Sequence, residues 1–166
     1  MSDDHRVRFY GYVDRPYEAS RMLLREHAQE VLRRATKTAG ERARSLAARL
    51  SVEAGGVGVG VDVTLEVHRR PEEPGIAGLP PITHLDLSWK AAEAEGLFPS
   101  MSAQLTLSPT TFAETRVEFE GVYTPPLAVV GRAFDAAVGH RIAEAAVHRF
   151  VNDVIEEIRR EVPKAG

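Results

Sequence analysis

The sequence predicts an α+β fold in which a curved antiparallel sheet is covered by one long C-terminal helix. Segments 82–92, 101–108 and 114–123 each alternate apolar with polar residues, which is typical of neighbouring strands that share one covered face. Segment 139–162 instead repeats apolar residues at helical spacing, and at ~1.5 Å per residue it spans ~36 Å, enough to cross a small sheet. At 166 residues and 18.2 kDa, residues 1–166 are expected to form a single domain.

The first two elements are predicted from a change of periodicity near Asp14. Residues 6–13 alternate with a period of two, which indicates a half-buried strand. Asp14 is a suitable N-cap with Pro16 just inside the helix, and apolar residues then recur at helical spacing. We therefore expect a helix over 15–39, in one or two pieces, that ends at Gly40.

Residues 41–54 fit two interpretations. Their apolar residues suit a helix at first, but from Leu46 onward they also alternate with polar or small ones. The alternation runs into a Gly-Gly pair, which is a two-residue hairpin signal, and valines then occupy one face of the following segment. We prefer a hairpin of 45–54 with 57–69, while a helix over 41–50 stays open.

Composition and charge narrow the classes of function. The chain has no cysteine, which excludes thiolate chemistry and cysteine-based zinc sites and fits a reducing cytoplasm. A net charge of −3 and a pI near 6.1 argue against a general nucleic-acid binder. No apolar run approaches the ~20 residues of a membrane span, and the charged N-terminus lacks the apolar segment of a secretory signal. We expect a cytoplasmic protein that neither spans a membrane nor binds nucleic acid.

Ionisable residues are almost absent from the predicted inner faces, and no catalytic motif stands out. His140 is the exception, because it lies on the apolar side of the last helix between the small residues Gly139 and Ala143. It is either the polar anchor of a ligand pocket or a structural residue near the helix start. Glu144 and His148 follow at four-residue steps but turn towards the polar side. We therefore predict no metal site, no cofactor and no catalytic residue.

A string of short motifs in the second half carries a family resemblance. It consists of Trp89-Lys-Ala, Leu97-Phe-Pro, a G-x-Y-x-P-P turn from Gly121 to Leu127, Gly131, Asp135, His140-Arg-Ile-Ala143 and Phe150. With the order of elements, the string resembles the helix-grip fold of the START, Bet v 1 and polyketide-cyclase (SRPBCC) superfamily, in particular its small bacterial members. The resemblance covers most of the chain, best from 82 to 160. It implies a curved antiparallel sheet of six to seven strands that grips the last helix over a hydrophobic cavity.

The implied cavity leads to the main functional hypothesis, which is binding of a hydrophobic small molecule such as a lipid, polyketide or isoprenoid. One alternative is a cyclase- or aromatase-like enzyme in which His140 or Tyr123 acts. Another is a protein-interaction module that uses the Arg-rich first helix, and a homodimer through the glycine-lined strand after residue 56 remains an option. The expected ligand-binding residues line the inner faces of the last strands and helix: Trp89, Met101, Leu105, Phe119, Tyr123, Gly139, His140 and Ala143.

Overall fold

A computed structural model of the chain describes residues 5–54, 63–72, 78–91, 100–124 and 136–166, which form five strands and two helices. In chain order the elements are β1 (Arg6–Val13), α1 (Tyr17–Ala54), β2 (Val63–Arg69), β3 (Thr83–Ala91), β4 (Ser100–Thr111), β5 (Glu114–Thr124) and α2 (Ala136–Glu161). The strands form one antiparallel sheet in the order β1-β5-β4-β3-β2. The two edges of the sheet are therefore β1 and β2.

The core lies between the inner face of the sheet and α2. Apolar side chains at alternate strand positions are buried there, as is the apolar stripe of α2 from Ile142 to Ile158. At Gly11 of β1 the packing leaves no room for a side chain, because an added Cβ atom would lie 2.6 Å from the Cδ1 atom of Ile155. Because even a methyl group would clash at this distance, Gly11 allows α2 to lie directly against β1.

The predicted hairpin of 45–54 with 57–69 is wrong, because α1 continues past Gly40 to Ala54 and makes 45–54 helical. This segment is rich in Ala, Arg and Leu, which are strong helix formers, and so short an apolar run does not separate the two periodicities. The sheet of the described residues consequently has five strands, where six to seven were expected. The backbone departs from helical geometry at His27 (φ −125°, ψ 21°), where α1 is kinked.

The remaining predicted elements form with small shifts of their ends. The first strand has the predicted bounds, and β3, β4 and β5 occupy the three strand segments predicted in the second half. Of the predicted strand 57–69, residues 63–69 form β2, and 57–62 lie outside the described residues. The last helix begins at Ala136, three residues before its predicted start. Within the described residues, neither helix offers a stretch long and apolar enough to cross a membrane.

Helix α1 lies against both α2 and the β2 edge of the sheet. Arg34 of α1 donates to the buried carboxylate of Glu157 in α2 at 3.0 Å. The Nε2 atom of Gln29 donates to the main-chain carbonyl of Leu65 in β2 at 3.3 Å. Helix α1 therefore satisfies part of the backbone along the β2 edge.

Candidate functional site

The candidate site lies at the end of the sheet where β3, β4 and β5 approach the start of α2. Trp89 of β3 lies opposite Met101 of β4, and Met101 lies opposite Tyr123 of β5. Directly opposite residues of an antiparallel sheet point to the same face, so these three side chains form one row. All three are buried, as is Ala143 of α2. The row and the first turns of α2 therefore bound one end of the interior.

An aromatic cluster closes the middle of the interior. The rings of Trp89 and Phe119 are stacked with their centroids 5.4 Å apart. Phe150 of α2 meets both of them edge to face, at centroid distances of 4.8 Å and 5.8 Å. Gly121 makes room for the stack, because an added Cβ atom there would lie 3.0 Å from the Phe119 ring. Leu105, opposite Phe119 in the sheet, is fully buried, so the centre of the described interior is filled by side chains.

The indole of Trp89 is held by a residue of α1 that was not among the predicted site residues. Its Nε1–H donates to the Oγ1 atom of Thr36 at 3.1 Å, and both residues are buried. A signal for Thr36 did exist, since it follows buried Leu32 by four residues and so lies on the apolar side of α1. The bond joins α1 to the candidate site and fixes the orientation of the ring.

A polar chain of Tyr123, His140 and Glu144 lies beside the apolar row. The Tyr123 hydroxyl is 3.4 Å from the Nδ1 atom of His140, and the Nε2 atom is 3.2 Å from the Oε1 atom of Glu144. A neutral imidazole that donates from Nε2 to the carboxylate accepts at Nδ1 from the hydroxyl. The His5 ring lies 4.9 Å from the ring of Tyr123, a contact that the sequence also did not indicate.

Burial differs strongly along this polar chain. Tyr123 is 2% exposed, whereas the side chain of His140 is 41% exposed. The hydroxyl thus lies at the boundary between the core and solvent. Among the described residues, no three His, Asp or Glu side chains group in a way that could hold a metal ion. The chain of groups is suited to hydrogen bonding and proton transfer.

The eight predicted ligand-binding residues fall into two groups. Trp89, Met101, Tyr123 and His140 meet at the end of the sheet, and Ala143 is buried one turn further along α2 than His140. Leu105 and Phe119 lie deeper in the core, and Gly139 belongs to the first turn of α2, four residues before Ala143. That these residues contact a ligand stays a prediction.

Three surface depressions are lined by described residues. One of about 520 Å³ covers the outer face of the sheet around Asp86 and Ser102. A second of about 380 Å³ lies between β1 and α2, and a third of about 510 Å³ lies beside α1 and α2. Residues 97–99 and 125–135, which border the candidate site in sequence, lie outside the described residues. The cavity expected between the sheet and α2 therefore stays a prediction.

The arginines of α1 are only partly available to a partner. Arg25 and Arg33 are exposed. Arg34 forms ion pairs with Glu30 and Glu157, so reversing its charge would also break a contact between the helices. Charge reversal at Arg25 and Arg33 therefore tests the protein-interaction hypothesis without disturbing this contact. The predicted glycine-lined strand lies outside the described residues as far as position 62.

The order of elements and the pairing of the strands define an α+β protein with the helix-grip fold, as the sequence led us to expect. No protein-family model and no curated protein sequence matches the chain. Among solved structures, the chain is similar to Zhui aromatase/cyclase from Streptomyces sp. R1128, with 14% identity, 93% of each chain covered and a TM-score of 0.44.

Two further solved structures show the same degree of similarity. The di-domain ARO/CYC BexL from the BE-7585A biosynthetic pathway is 11% identical, with 99% of this chain and 52% of that chain covered and a TM-score of 0.47. TTHA0849 from Thermus thermophilus is 15% identical, with 92% and 98% covered and a TM-score of 0.40. At these identities and TM-scores the similarity carries no information about function.

Proposed function

We propose that the protein binds a hydrophobic small molecule, of lipid, polyketide or isoprenoid type, between the end of the sheet and the start of α2. The observation that carries the proposal is the hydroxyl–imidazole pair of Tyr123 and His140 set against an otherwise apolar, buried wall. Small-molecule sites typically combine an apolar lining with a few polar groups that fix the orientation of the ligand. Trp89, Met101 and Ala143 supply the lining, and the pair supplies the polar groups.

The aromatic cluster sets the inner limit of this site. Because Trp89, Phe119 and Phe150 fill the centre, the apolar part of the ligand ends against the indole. Its polar part lies near His140, where the protein meets solvent. Apolar burial contributes ~25 cal/mol per Å², so a ligand that buries about 200 Å² gains about 5 kcal/mol.

Filling the site should weaken the binding of an apolar fluorescent probe such as anilinonaphthalene sulfonate. In Ala143→Phe the added ring takes up space on the buried side of α2, so we expect probe affinity to fall at least tenfold. The measurement is a fluorescence titration of the full chain. Overpacking a core costs about 1–3 kcal/mol, so a smaller substitution, Ala143→Val, covers the case in which the first variant does not fold.

Ala145→Phe is the matched control, since Ala145 is only half-buried and lies beside the surface grooves next to α2. It should leave probe affinity within about twofold of the original. A wild-type protein that takes up no probe and carries no ligand in native mass spectrometry contradicts the proposal. Equal uptake by the folded Ala143 variants contradicts this location for the site.

A second candidate function is favoured by the polar chain itself. The contacts of His140 with the Tyr123 hydroxyl and the Glu144 carboxylate supply a proton donor and acceptor at the edge of the apolar site. A positioned acid–base group contributes about 10²–10⁴-fold to a reaction rate. We propose, as the alternative, that the protein acts on the bound molecule as a cyclase- or aromatase-like enzyme that orients a reactive chain.

The two functions are separated by Tyr123→Phe, which removes the hydroxyl and keeps the ring. If the protein is a catalyst, turnover of a polyketide chain falls by about 10²-fold or more, whereas affinity for the probe, which rests mainly on the apolar lining, falls far less. His140→Gln should behave in the same way, and His148→Gln, two turns further along α2, should not. A protein that binds the chain and never turns it over supports the binding function alone.

A further inference from the structure

The two edges of the sheet are treated differently in the described part of the chain. At the β2 edge, Gln29 of α1 bonds to the carbonyl of Leu65. At the other edge, no described strand pairs with β1 on the side away from β5. An eight-residue strand with an open side is a template for pairing with another extended chain.

The hydrogen-bond pattern shows which residues of β1 face this open side. The main-chain N–H of Tyr123 donates to the carbonyl of His5 at 2.9 Å, so His5 directs its backbone towards β5. Bonded and non-bonded positions alternate along an antiparallel ladder. Arg8, Tyr10 and Tyr12 therefore direct their backbone N–H and C=O groups away from β5, to the open edge.

The side chains along the same edge are aromatic and cationic. Tyr10 is 50% exposed and Tyr12 is 44% exposed, and their rings lie 6.0 Å apart. Arg8 donates from Nε to Glu118 at 2.6 Å and has an exposed side chain, while Arg116 lies 4.7 Å from the centre of the Tyr10 ring. Tyr and Arg are, with Trp, the residue types enriched at the energetic centres of protein interfaces.

These features are self-complementary in one register. If two copies of β1 pair antiparallel about Phe9, Arg8 of each copy lies opposite Tyr10 of the other, and the positions of Tyr12 and Arg6 are also opposite. Each pair then places a guanidinium next to an aromatic ring. Centring the pairing on Arg8 would instead set like charges opposite each other, which is unfavourable. Centring it on Tyr10 would keep fewer of these arginine–tyrosine pairs.

The inner side of β1 leaves room for this arrangement. Phe9 is only half-buried and contacts the ring of His148 at 4.3 Å between centroids. Beside it lies the groove of about 380 Å³ between β1 and α2, lined also by Arg141 and Ala145. The Phe9 side chain of a second copy would meet its counterpart at the mouth of this groove.

We infer that the protein forms a homodimer in which β1 of each copy pairs antiparallel across a two-fold axis at Phe9. The two sheets become one continuous sheet, and the backbone groups of Arg8, Tyr10 and Tyr12 gain partners. The candidate ligand site of each copy is separate from this edge, so dimerisation does not depend on the proposed function.

The first test is the solution mass of the full chain and of Tyr10→Pro. Proline removes a backbone N–H that faces the open edge, so the β1–β5 ladder keeps its bonds while strand addition is blocked. We expect sedimentation equilibrium to give twice the 18.2 kDa chain mass for the original protein and at least tenfold weaker association for the variant. Tyr10→Ala, which keeps the N–H, should weaken association less. A monomer at every concentration up to the solubility limit overturns the inference.

The second test uses the absence of cysteine from the chain. In the inferred register the two copies of position 9 form a non-hydrogen-bonded pair with a Cα separation of about 4.5 Å, which a disulfide can span. Phe9→Cys should therefore form a disulfide-linked dimer under mild oxidation. The matched control is Tyr12→Cys, an exposed position whose two copies would lie about 20 Å apart along the strands and should stay unlinked. Dimeric mass without a position-9 disulfide overturns this interface.

Discussion

At the scale of single residues, the bond from Trp89 to Thr36 is the contact that joins α1 to the candidate site. Removing its acceptor with Thr36→Val keeps the shape of the side chain and removes this hydrogen bond from the indole N–H. A buried donor that loses its partner costs about 1–3 kcal/mol. We expect the free energy of unfolding, measured by urea denaturation, to fall by about that amount.

The control for this prediction is a Thr→Val substitution at an exposed position. Thr64→Val changes an exposed position of β2 and should alter stability by about 0.5 kcal/mol or less. In a Trp89→Phe background the N–H is absent, so Thr36→Val should then cost much less than it does alone. An equal cost in both backgrounds would show that the hydrogen bond is not the cause.

For the residues of the candidate site, the periodicity of the sequence predicts the face on which each side chain lies, but not the contacts that it makes. Alternation along β3, β4 and β5 is enough to put Trp89, Met101 and Tyr123 on the inner face, and the structure places them there. The contacts of Thr36 and His5 could not be derived in this way. They join segments far apart in sequence, and their pairing depends on how the elements pack.

At the scale of elements, the C-terminal end of β1 was predictable because residues that favour a helix start follow it. Asp14 and Pro16 follow the strand directly and favour a helix start, which leaves little freedom for either boundary. Segment 45–54 had no such signal within it. Its alternation was compatible with a strand, but the segment is helical, in agreement with the high helix propensity of its Ala, Arg and Leu residues.

At the scale of the whole molecule, the order of the predicted elements was more informative about the architecture than the predicted number of strands. A long apolar-striped helix after three strands with one covered face has to cover that face, and α2 does so. The periodicity of the sequence could not predict that β1 and β5 are neighbours in the sheet, because strand order depends on contacts between segments far apart in sequence.

The beginning and end of the fold are joined by a charged cluster around Asp14. Arg15, which follows it, donates to the carbonyl oxygens of Arg159 and Val162 at the end of α2. Asp14 itself pairs with Lys164 at 3.1 Å and with Arg159 at 3.2 Å. The hydrogen bond from Lys164, with that from Arg159, lowers the pKa of Asp14 from 3.8 to about 2, against a smaller opposing effect of desolvation.

This cluster predicts how Asp14→Asn changes stability with pH. Because the folded-state pKa is lowered, the charged carboxylate stabilises the fold fully above pH 3.8, and this contribution is lost as the pH falls through about 2. The variant should therefore be less stable than the original protein at neutral pH, and the difference should close as the pH falls through about 2, as measured by urea unfolding across this range. The control is Glu161→Gln, which removes an exposed carboxylate from the last turn of α2 and leaves Asp14 in place. Because all the partners lie near the surface, high salt should shrink the difference at neutral pH. A difference between Asp14→Asn and the original protein that stays constant from neutral pH to pH 2 would show that the cluster does not join the two ends of the fold electrostatically.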